Sequence, residues 1–141
     1  MDLTPPLKVQ KGTSLRDAIA LMQERVRPCL VVCEGDKIAG IFTERDILYK
    51  LTDGKADFSK PIDTAMTPSP ATLRLEDPVS TAIRMMTEQS YRHIPLADGG
   101  GRCVGFVTAR DIIVYIAEHF PAEVMNLPMR LHQTPLRAEG G

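Results

Sequence analysis

A threonine and an aspartate three residues apart occur twice in this chain of 141 residues, as Thr43-Glu-Arg-Asp46 and Thr108-Ala-Arg-Asp111. An ionised carboxylate only accepts hydrogen bonds, which suits a partner with two donors, such as a vicinal diol. A hydroxyl beside the free N–H groups at the start of a helix favours a phosphate. The same spacing also fits a capping box, which closes the start of a helix without any ligand. The sequence leaves both interpretations open.

The two motifs belong to an internal repeat. The stretch 40–48 matches 105–113 in glycine, threonine, arginine, aspartate and isoleucine, and upstream apolar positions match 64 residues apart. A repeat is interpreted before any single motif because it determines the architecture. Each copy predicts the order strand, helix, strand, strand, helix over about 60 residues, and a unit of that size alone has a marginal core. Two units are therefore expected to pack against each other.

In the first unit, apolar residues recur at helical spacing from Leu15 to Val26, which predicts a helix with one apolar face. Ser14 and Asp17 form a variant capping box at its start. Pro28 ends the helical region, because the residue before a proline avoids helical geometry. A second helix is expected over Thr43–Leu51. The predicted strands are 7–9, 29–33 and 37–42.

In the second unit, residues 71–73 match the first strand, and Asp77 is expected to cap the following helix. Pro78 then takes the first helical position, where its missing N–H costs nothing. Residues 52–70 are rich in proline and have the composition of a linker. The tail is expected to pack partly on the body or on a partner chain, with mobile last residues. The expected boundaries are 7–60 for the first unit, 61–120 for the second and 121–141 for the tail.

Composition excludes several classes of function. The formal net charge is -1 and no long basic run is present, so nucleic acid is not an expected partner. No apolar stretch suits a signal peptide or the roughly 20 residues that span a bilayer, so we expect a cytoplasmic protein without membrane contact. The three cysteines are an odd number and lack further ligands nearby. We expect buried thiols, no metal site and no cofactor.

The repeated pattern resembles the CBS domain, named after cystathionine β-synthase. An amphipathic helix, an apolar strand that contains Pro95, and a hairpin ending in Gly-h-h-Thr-x-x-Asp, where h is apolar, carry the resemblance over roughly 7–118. The tandem arrangement is similar to a CBS pair, or Bateman module, here without an accompanying catalytic domain. The resemblance implies an α/β fold, α+β by stricter accounting, with two units in pseudo-two-fold contact. It also implies a homodimer formed through helices.

The resemblance further implies a ligand, because CBS pairs often bind adenosine nucleotides in clefts between their units. Asp46 and Asp111 would then accept hydrogen bonds from ribose hydroxyls, and Thr43 and Thr108 would meet phosphate. The strand around Pro95, with Ile94, would contact adenine through its backbone groups. The residue before the first helix of each unit, around Lys8 or Thr72, would lie near a cleft.

Basic side chains strengthen the case for an anionic ligand. Arg45 and Arg110 each precede a motif aspartate by one residue and offer a charge-assisted contact, although they also fit solvated surface charges. Arg92 and His93 precede the Pro95 strand, and we expect them to point into the cleft of the second motif. His93 also fits a packed or solvent-facing histidine. The second motif is therefore where a ligand is expected first.

The leading hypothesis is a regulatory, ligand-sensing module that binds AMP, ADP, ATP or S-adenosylmethionine and acts on a separate protein. The alternative is a structural or dimerisation module with empty clefts. An enzyme has the least support, because no nucleophile–base pair, metal set or phosphate-cradling loop is evident. The glycines at 99–101 lie between strands and do not lead into a helix.

Overall fold

The computed structural model describes residues 3–120, and the expectations for the tail at 121–141 lie outside them. Helices and strands follow the predicted order in the first repeat, and from the first helix onward in the second, which confirms the mixed α and β class. The first repeat contains β1 (Lys8–Gln10), α1 (Leu15–Arg25), β2 (Cys29–Glu34), β3 (Lys37–Thr43) and α2 (Glu44–Lys50). A 3-10 turn (Ile62–Thr64), β4 (Thr67–Pro68), α3 (Val79–Glu88), β5 (His93–Ala97), β6 (Cys103–Thr108) and α4 (Ala109–His119) follow.

Each repeat builds one sheet, and each sheet is extended by the segment that precedes the other repeat. The first sheet has the order β1-β2-β3-β4, with β1 parallel to β2 and the other pairs antiparallel. β4 places Thr67 opposite Ile41. β5 and β6 pair antiparallel, and Thr4 forms a bridge with Phe106 of β6. The lead-in to the first repeat therefore contacts the second sheet.

Three apolar clusters hold the fold together. One cluster packs α1 on the first sheet, and a second packs α3 and α4 on β5 and β6. The third lies between the repeats and joins side chains of β2 to side chains of β6. Its buried members are Cys29, Val31, Cys33, Cys103 and Phe106.

The helix starts differ between the repeats. The Ser14 hydroxyl accepts a hydrogen bond from the Asp17 N–H at 3.1 Å, as predicted. Val26 is not on the apolar face, because α1 ends at Arg25 and Val26 is 85% exposed in a left-handed conformation. The prediction for Asp77 is also wrong. Its carboxylate accepts a hydrogen bond from the N–H of Arg74 in the preceding turn at 2.8 Å, and α3 begins after Pro78 without a side-chain cap.

The proline-rich stretch between the repeats is not a bare linker. Ile62 and Ala65 are buried in the core of the first repeat, and β4 pairs with β3. The N–H of Ile62 donates to the Thr13 carbonyl at 2.7 Å. Composition suggested a linker because the prolines and Gly54 dominate this stretch, and the two buried apolar residues, three positions apart, are too few to indicate a helix or strand. Residues 71–73 likewise form only one bridge, between Leu73 and Leu96, and no strand.

Candidate functional site

Both threonine–aspartate motifs form complete capping boxes. In the first, the Thr43 hydroxyl accepts a hydrogen bond from the Asp46 N–H at 3.3 Å, and Asp46 Oδ2 accepts from the Thr43 N–H at 3.0 Å. In the second, the matching distances between Thr108 and Asp111 are 3.1 and 2.9 Å. The capping interpretation is therefore confirmed. It does not exclude a ligand, because each box uses only one of the two carboxylate oxygens.

The strands fix where each motif lies. α2 follows β3 directly and α4 follows β6 directly, so each motif lies at the end of a hairpin. The N–H of Glu44 donates to the Pro28 carbonyl at 3.0 Å, and the N–H of Ala109 donates to the Arg92 carbonyl at 3.1 Å. The residue that leads into the neighbouring strand thus anchors the first turn of each helix.

The carboxylate of Asp46 is fully engaged by protein groups. It is 7% exposed, and it is the buried charged residue among residues 3–120. The ammonium of Lys50 lies 2.9 Å from Asp46 Oδ1, and the Thr67 hydroxyl lies 3.5 Å from the same oxygen. The Lys50 ammonium also donates to the Ala65 carbonyl at 2.8 Å. The first carboxylate is therefore neutralised and held on both oxygens.

The carboxylate of Asp111 has a weaker set of partners. Besides the Thr108 N–H, it accepts from the Thr4 hydroxyl at 3.2 Å on Oδ2 and 3.4 Å on Oδ1. The position that corresponds to Lys50, 65 residues later, is Tyr115, which stacks on His119. Within the part of the chain that the structure describes, no ion pair includes Asp111. The second carboxylate is half-buried and has no cationic partner among residues 3–120.

A cleft with a volume of about 420 Å³ lies between the repeats. The first motif lines one side, and the turn that leads into β5 lines the other. Arg92 and His93, which were expected at the second motif, line this cleft with the first motif, while their backbone also contacts the start of α4. The turn that leads into β5 of the second repeat thus lies across from the start of α2 in the first. The charged, hydroxyl and aromatic side chains of this inter-unit cleft include those of Thr43, Glu44, Arg45, Asp46, Tyr91, Arg92 and His93.

The charges around the cleft come from both repeats. Arg45 and Arg92 are exposed, and the Arg45 guanidinium lies 6.0 Å from the centroid of the Tyr49 ring. Burial lowers the pKa of His93, and the carboxylates of Glu44 and Asp111 oppose this effect. His93 therefore lies near acids of both repeats, since it also pairs with Thr108 across β5 and β6.

The other predicted site residues do not line the inter-unit cleft. Ile94 and Pro95 are buried in the second repeat, and the Pro95 carbonyl accepts a hydrogen bond from the Leu73 N–H at 3.1 Å. That carbonyl keeps one further acceptor position, because a carbonyl oxygen has two lone pairs. The remaining three side chains, those of Arg110, Lys8 and Thr72, are exposed.

Sequence reasoning missed Lys50, Thr4 and Thr67. Lys50 follows Asp46 by four residues in a predicted helix, and that spacing brings opposite charges together. Thr4 and Thr67 occupy equivalent positions in Leu-Thr-Pro and Met-Thr-Pro, so the repeat itself contained the signal.

The cysteines of the described residues are buried packing groups. The three thiols are free and buried, and burial, with a smaller contribution from the charge of Asp46, raises the pKa of Cys29 to about 12. These thiols act as packing groups, because the thiolate is the reactive form.

Among residues 3–120, no cluster of three acidic, histidine or cysteine side chains is arranged for a metal ion. None of the helices in that range has the length and apolar character needed to cross a bilayer.

Comparisons with known proteins agree with the repeat. CBS domain-containing protein CBSCBSPB1 of Arabidopsis thaliana is 32% identical over 107 residues, which are 75% of this chain and 20% of that protein. The chain spans 20%, 52% and 63% of the length of three curated relatives that it matches. Relatives named as enzymes match over 20–32% of their own length.

Solved structures give the same result. CBSX2, solved in complex with AMP, superposes with a TM-score of 0.71 at 25% identity, covering 82% of this chain and 92% of that one. A CBS domain pair solved with 5′-methylthioadenosine and S-adenosyl-L-methionine gives a TM-score of 0.73 at 27% identity, with 82% and 92% covered. The family model for the CBS domain matches residues 2–53 and 61–118. With two family matches on two structural repeats, the chain belongs to the CBS-domain family.

Proposed function

We propose that this chain is a regulatory module for signal transduction that binds an adenine nucleotide between its two units. The candidate ligands are AMP, ADP, ATP and S-adenosylmethionine. The observation that carries the proposal is the placement of two motif carboxylates by twin capping boxes, one of them in a cleft with two arginines. The nucleotides bound by similar solved proteins support it.

The residues divide into three roles. Asp111 and Asp46 are the acceptors for ribose hydroxyls, since a carboxylate suits a vicinal diol. Arg45 and Arg92 in the inter-unit cleft are the partners of phosphate, with Arg110 as the counterpart near the second motif. The volume of the cleft falls within the roughly 300 to 1,000 Å³ that is usual for small-molecule sites. The adenine contacts of the β5 backbone, and the roles of Lys8 and Thr72, stay predictions.

We further propose that the chain is a cytoplasmic homodimer that responds to the nucleotide and acts on a partner protein. Leu48 of α2 and Ile113 of α4 occupy matching positions and are 65% and 66% exposed. Two matched apolar faces of this kind suit a symmetric contact with a second copy. The ligand changes partner affinity only by its differential affinity for two states of the module. Catalysis is not part of the proposal.

Native mass spectrometry and calorimetry test the proposal together. The expected result is a dimer that binds AMP, ATP or S-adenosylmethionine, with binding lost in the Asp46→Asn, Asp111→Asn double variant. Asp36→Asn, in the exposed turn between β2 and β3, is the matched control and keeps wild-type affinity. A wild-type chain that gives no heat and no thermal shift with any of these ligands would overturn the proposal.

A structural or dimerisation module is the alternative function. The capping boxes favour it, because they account for both motifs without a ligand. This alternative predicts a dimer whose stability is the same with and without every nucleotide. The variants Leu48→Glu and Ile113→Glu would then abolish its dimerisation, since each places a charge on an apolar face.

A further inference from the structure

We propose that Lys50 is an internal competitor of the nucleotide at the first motif. Asp111 is then the carboxylate that receives the ribose, and Asp46 stays closed while Lys50 is in place. The inference rests on the proposed function and adds a regulation of its site. It predicts one nucleotide per chain, although the repeat contains two motifs.

The acceptor positions of Asp46 are all used. A carboxylate offers about four lone-pair positions. Oδ2 accepts from the Thr43 N–H at 3.0 Å and lies 3.2 Å from the Thr43 hydroxyl. Oδ1 accepts from the Lys50 ammonium at 2.9 Å and lies 3.5 Å from the Thr67 hydroxyl. A vicinal diol needs two acceptor positions, so it competes with groups already in place, and the Lys50 ammonium occupies Oδ1, the oxygen that the capping box leaves free.

A diol is a poor replacement for that lysine. Its hydroxyls are neutral, whereas the Lys50 ammonium forms a charge-assisted hydrogen bond, which is the stronger kind. Removing the cation would leave the buried Asp46 carboxylate without a counter-charge, which is costly. It would also remove the hydrogen-bond donor to the carbonyl of Ala65, a buried residue of the covering segment, which is the stretch 62–68 that packs on the first repeat.

Asp111 has the opposite arrangement. Its Oδ2 accepts from the Thr108 N–H, and the single Thr4 hydroxyl hydrogen is shared between its two oxygens at 3.2 and 3.4 Å. Oδ1 therefore has an acceptor position for a ribose hydroxyl. Tyr115 stands where Lys50 stands in the first repeat, so no ammonium of residues 3–120 has to leave. The Arg27 guanidinium donates to the carbonyl of Pro5, the residue after Thr4.

The experiment is a calorimetric titration of the full chain with AMP, with native mass spectrometry to count bound nucleotides. The wild-type chain is expected to bind one AMP, and the control Asp36→Asn, in the exposed turn between β2 and β3, is expected to keep that number. Asp111→Asn is expected to weaken binding at least about tenfold, or ~1.4 kcal/mol. Lys50→Met removes the charge, keeps the apolar stem and is expected to bind a second AMP.

Tyr115→Lys is the reciprocal variant, because it places the competing lysine one helical turn after Asp111. It is expected to weaken the single site, whereas Tyr115→Phe leaves it unchanged. This pair does not depend on the stability of Lys50→Met.

The outcomes separate the two proposals. Two AMP molecules per wild-type chain with similar affinity, or only one AMP bound by folded Lys50→Met, would overturn the role of Lys50 while the proposed function stands. No binding by the wild-type chain or by folded Lys50→Met would overturn the proposed function and this inference with it.

Discussion

The two capping boxes have the same backbone geometry but differ in the charge balance of their aspartates. Asp46 is buried and paired with Lys50, whereas Asp111 is half-buried and held by the Thr4 hydroxyl. The difference arises one helical turn after each aspartate, where the first repeat has a lysine and the second a tyrosine. A repeat can therefore keep a structural device in both copies while a single neighbouring residue changes what its carboxylate can bind.

Gly40 and Gly105, the first residues of the two matched stretches, differ in how closely neighbouring atoms surround them. A Cβ atom on Gly40 would lie 2.6 Å from Met66 Sδ and 2.8 Å from the Thr67 carbonyl oxygen. The same atom on Gly105 would lie 3.6 Å from its nearest neighbour, the Thr4 carbonyl oxygen. The first repeat is thus covered closely by the segment that follows it, and the second repeat is covered more loosely by the lead-in.

The largest expected effect comes from the covering segment. Ile62→Ala is expected to lower the free energy of unfolding by about 2–5 kcal/mol, because it opens a cavity in a core where Ile62 has no exposed surface. Urea denaturation measures the change. Leu75→Ala, at an exposed position in the turn before α3, is the control and should stay within about 0.5 kcal/mol. A small effect of Ile62→Ala would mean that the segment is a linker after all.

The glycines give the next largest contrast. Gly40→Ala is expected to destabilise the fold by about 1–3 kcal/mol, because the nearby Thr67 carbonyl belongs to backbone that cannot move aside freely. Gly105→Ala should change the free energy of unfolding by less than about 0.5 kcal/mol, since the added methyl group would make only ordinary van der Waals contacts, at 3.6 Å or more. Chemical denaturation of both variants measures the difference. Equal losses would contradict the asymmetry between the two covering segments.

The repeat and its helix starts could be predicted from sequence because they depend on local spacing. The Thr43 and Ser14 caps need only a hydroxyl three residues before an N–H, and both form. Asp77 shows the limit of this reasoning. Its carboxylate could accept a hydrogen bond either from the N–H of Arg74 before it or from an N–H of the helix after it, and it accepts from Arg74. Sequence spacing alone does not say which of two such local partners is preferred.

The candidate site was harder to predict because it depends on tertiary placement. The spacing of Asp46 and Lys50 is visible in the sequence, but the burial that makes their ion pair decisive comes from packing. The contact of Arg92 and His93 with the first motif was missed for a similar reason. Sequence order places them beside the second motif, and the contact between the repeats adds a cleft that they share with Arg45.

The caps themselves predict an equal effect in both repeats. Thr43→Ala and Thr108→Ala should each cost about 0.5–2 kcal/mol, because each removes the acceptor for the N–H of the third helical residue. Thermal or urea denaturation compares the two variants, and the Thr→Ser variants are expected to keep most of the stability. A much larger loss for Thr43→Ala would show that its hydroxyl also supports the Lys50–Asp46 pair.

The smallest expected effect is a pH dependence centred on His93, between the two repeats. Burial lowers its pKa from the ordinary 6.5, so the unfolded chain binds the proton at a higher pH than the folded chain does. Stability is therefore expected to be retained above pH 6.5 and to fall as the pH decreases from there toward the folded pKa. His93→Gln should flatten this slope in urea denaturation, and wild type and variant should run parallel at higher pH.

Two acids, Glu44 and Asp111, oppose the effect of burial on the pKa of His93, and they test which repeat His93 faces. Glu44 of the first repeat raises the pKa of His93 more than Asp111 of the second does. An NMR titration of the His93 ring should therefore give a lower pKa in Glu44→Gln, and a smaller decrease in Asp111→Asn. The order agrees with the cleft, because His93 and Glu44 both line it whereas Asp111 does not. A larger decrease in Asp111→Asn would show that the charge of the second motif acts on His93 more strongly than that of the first.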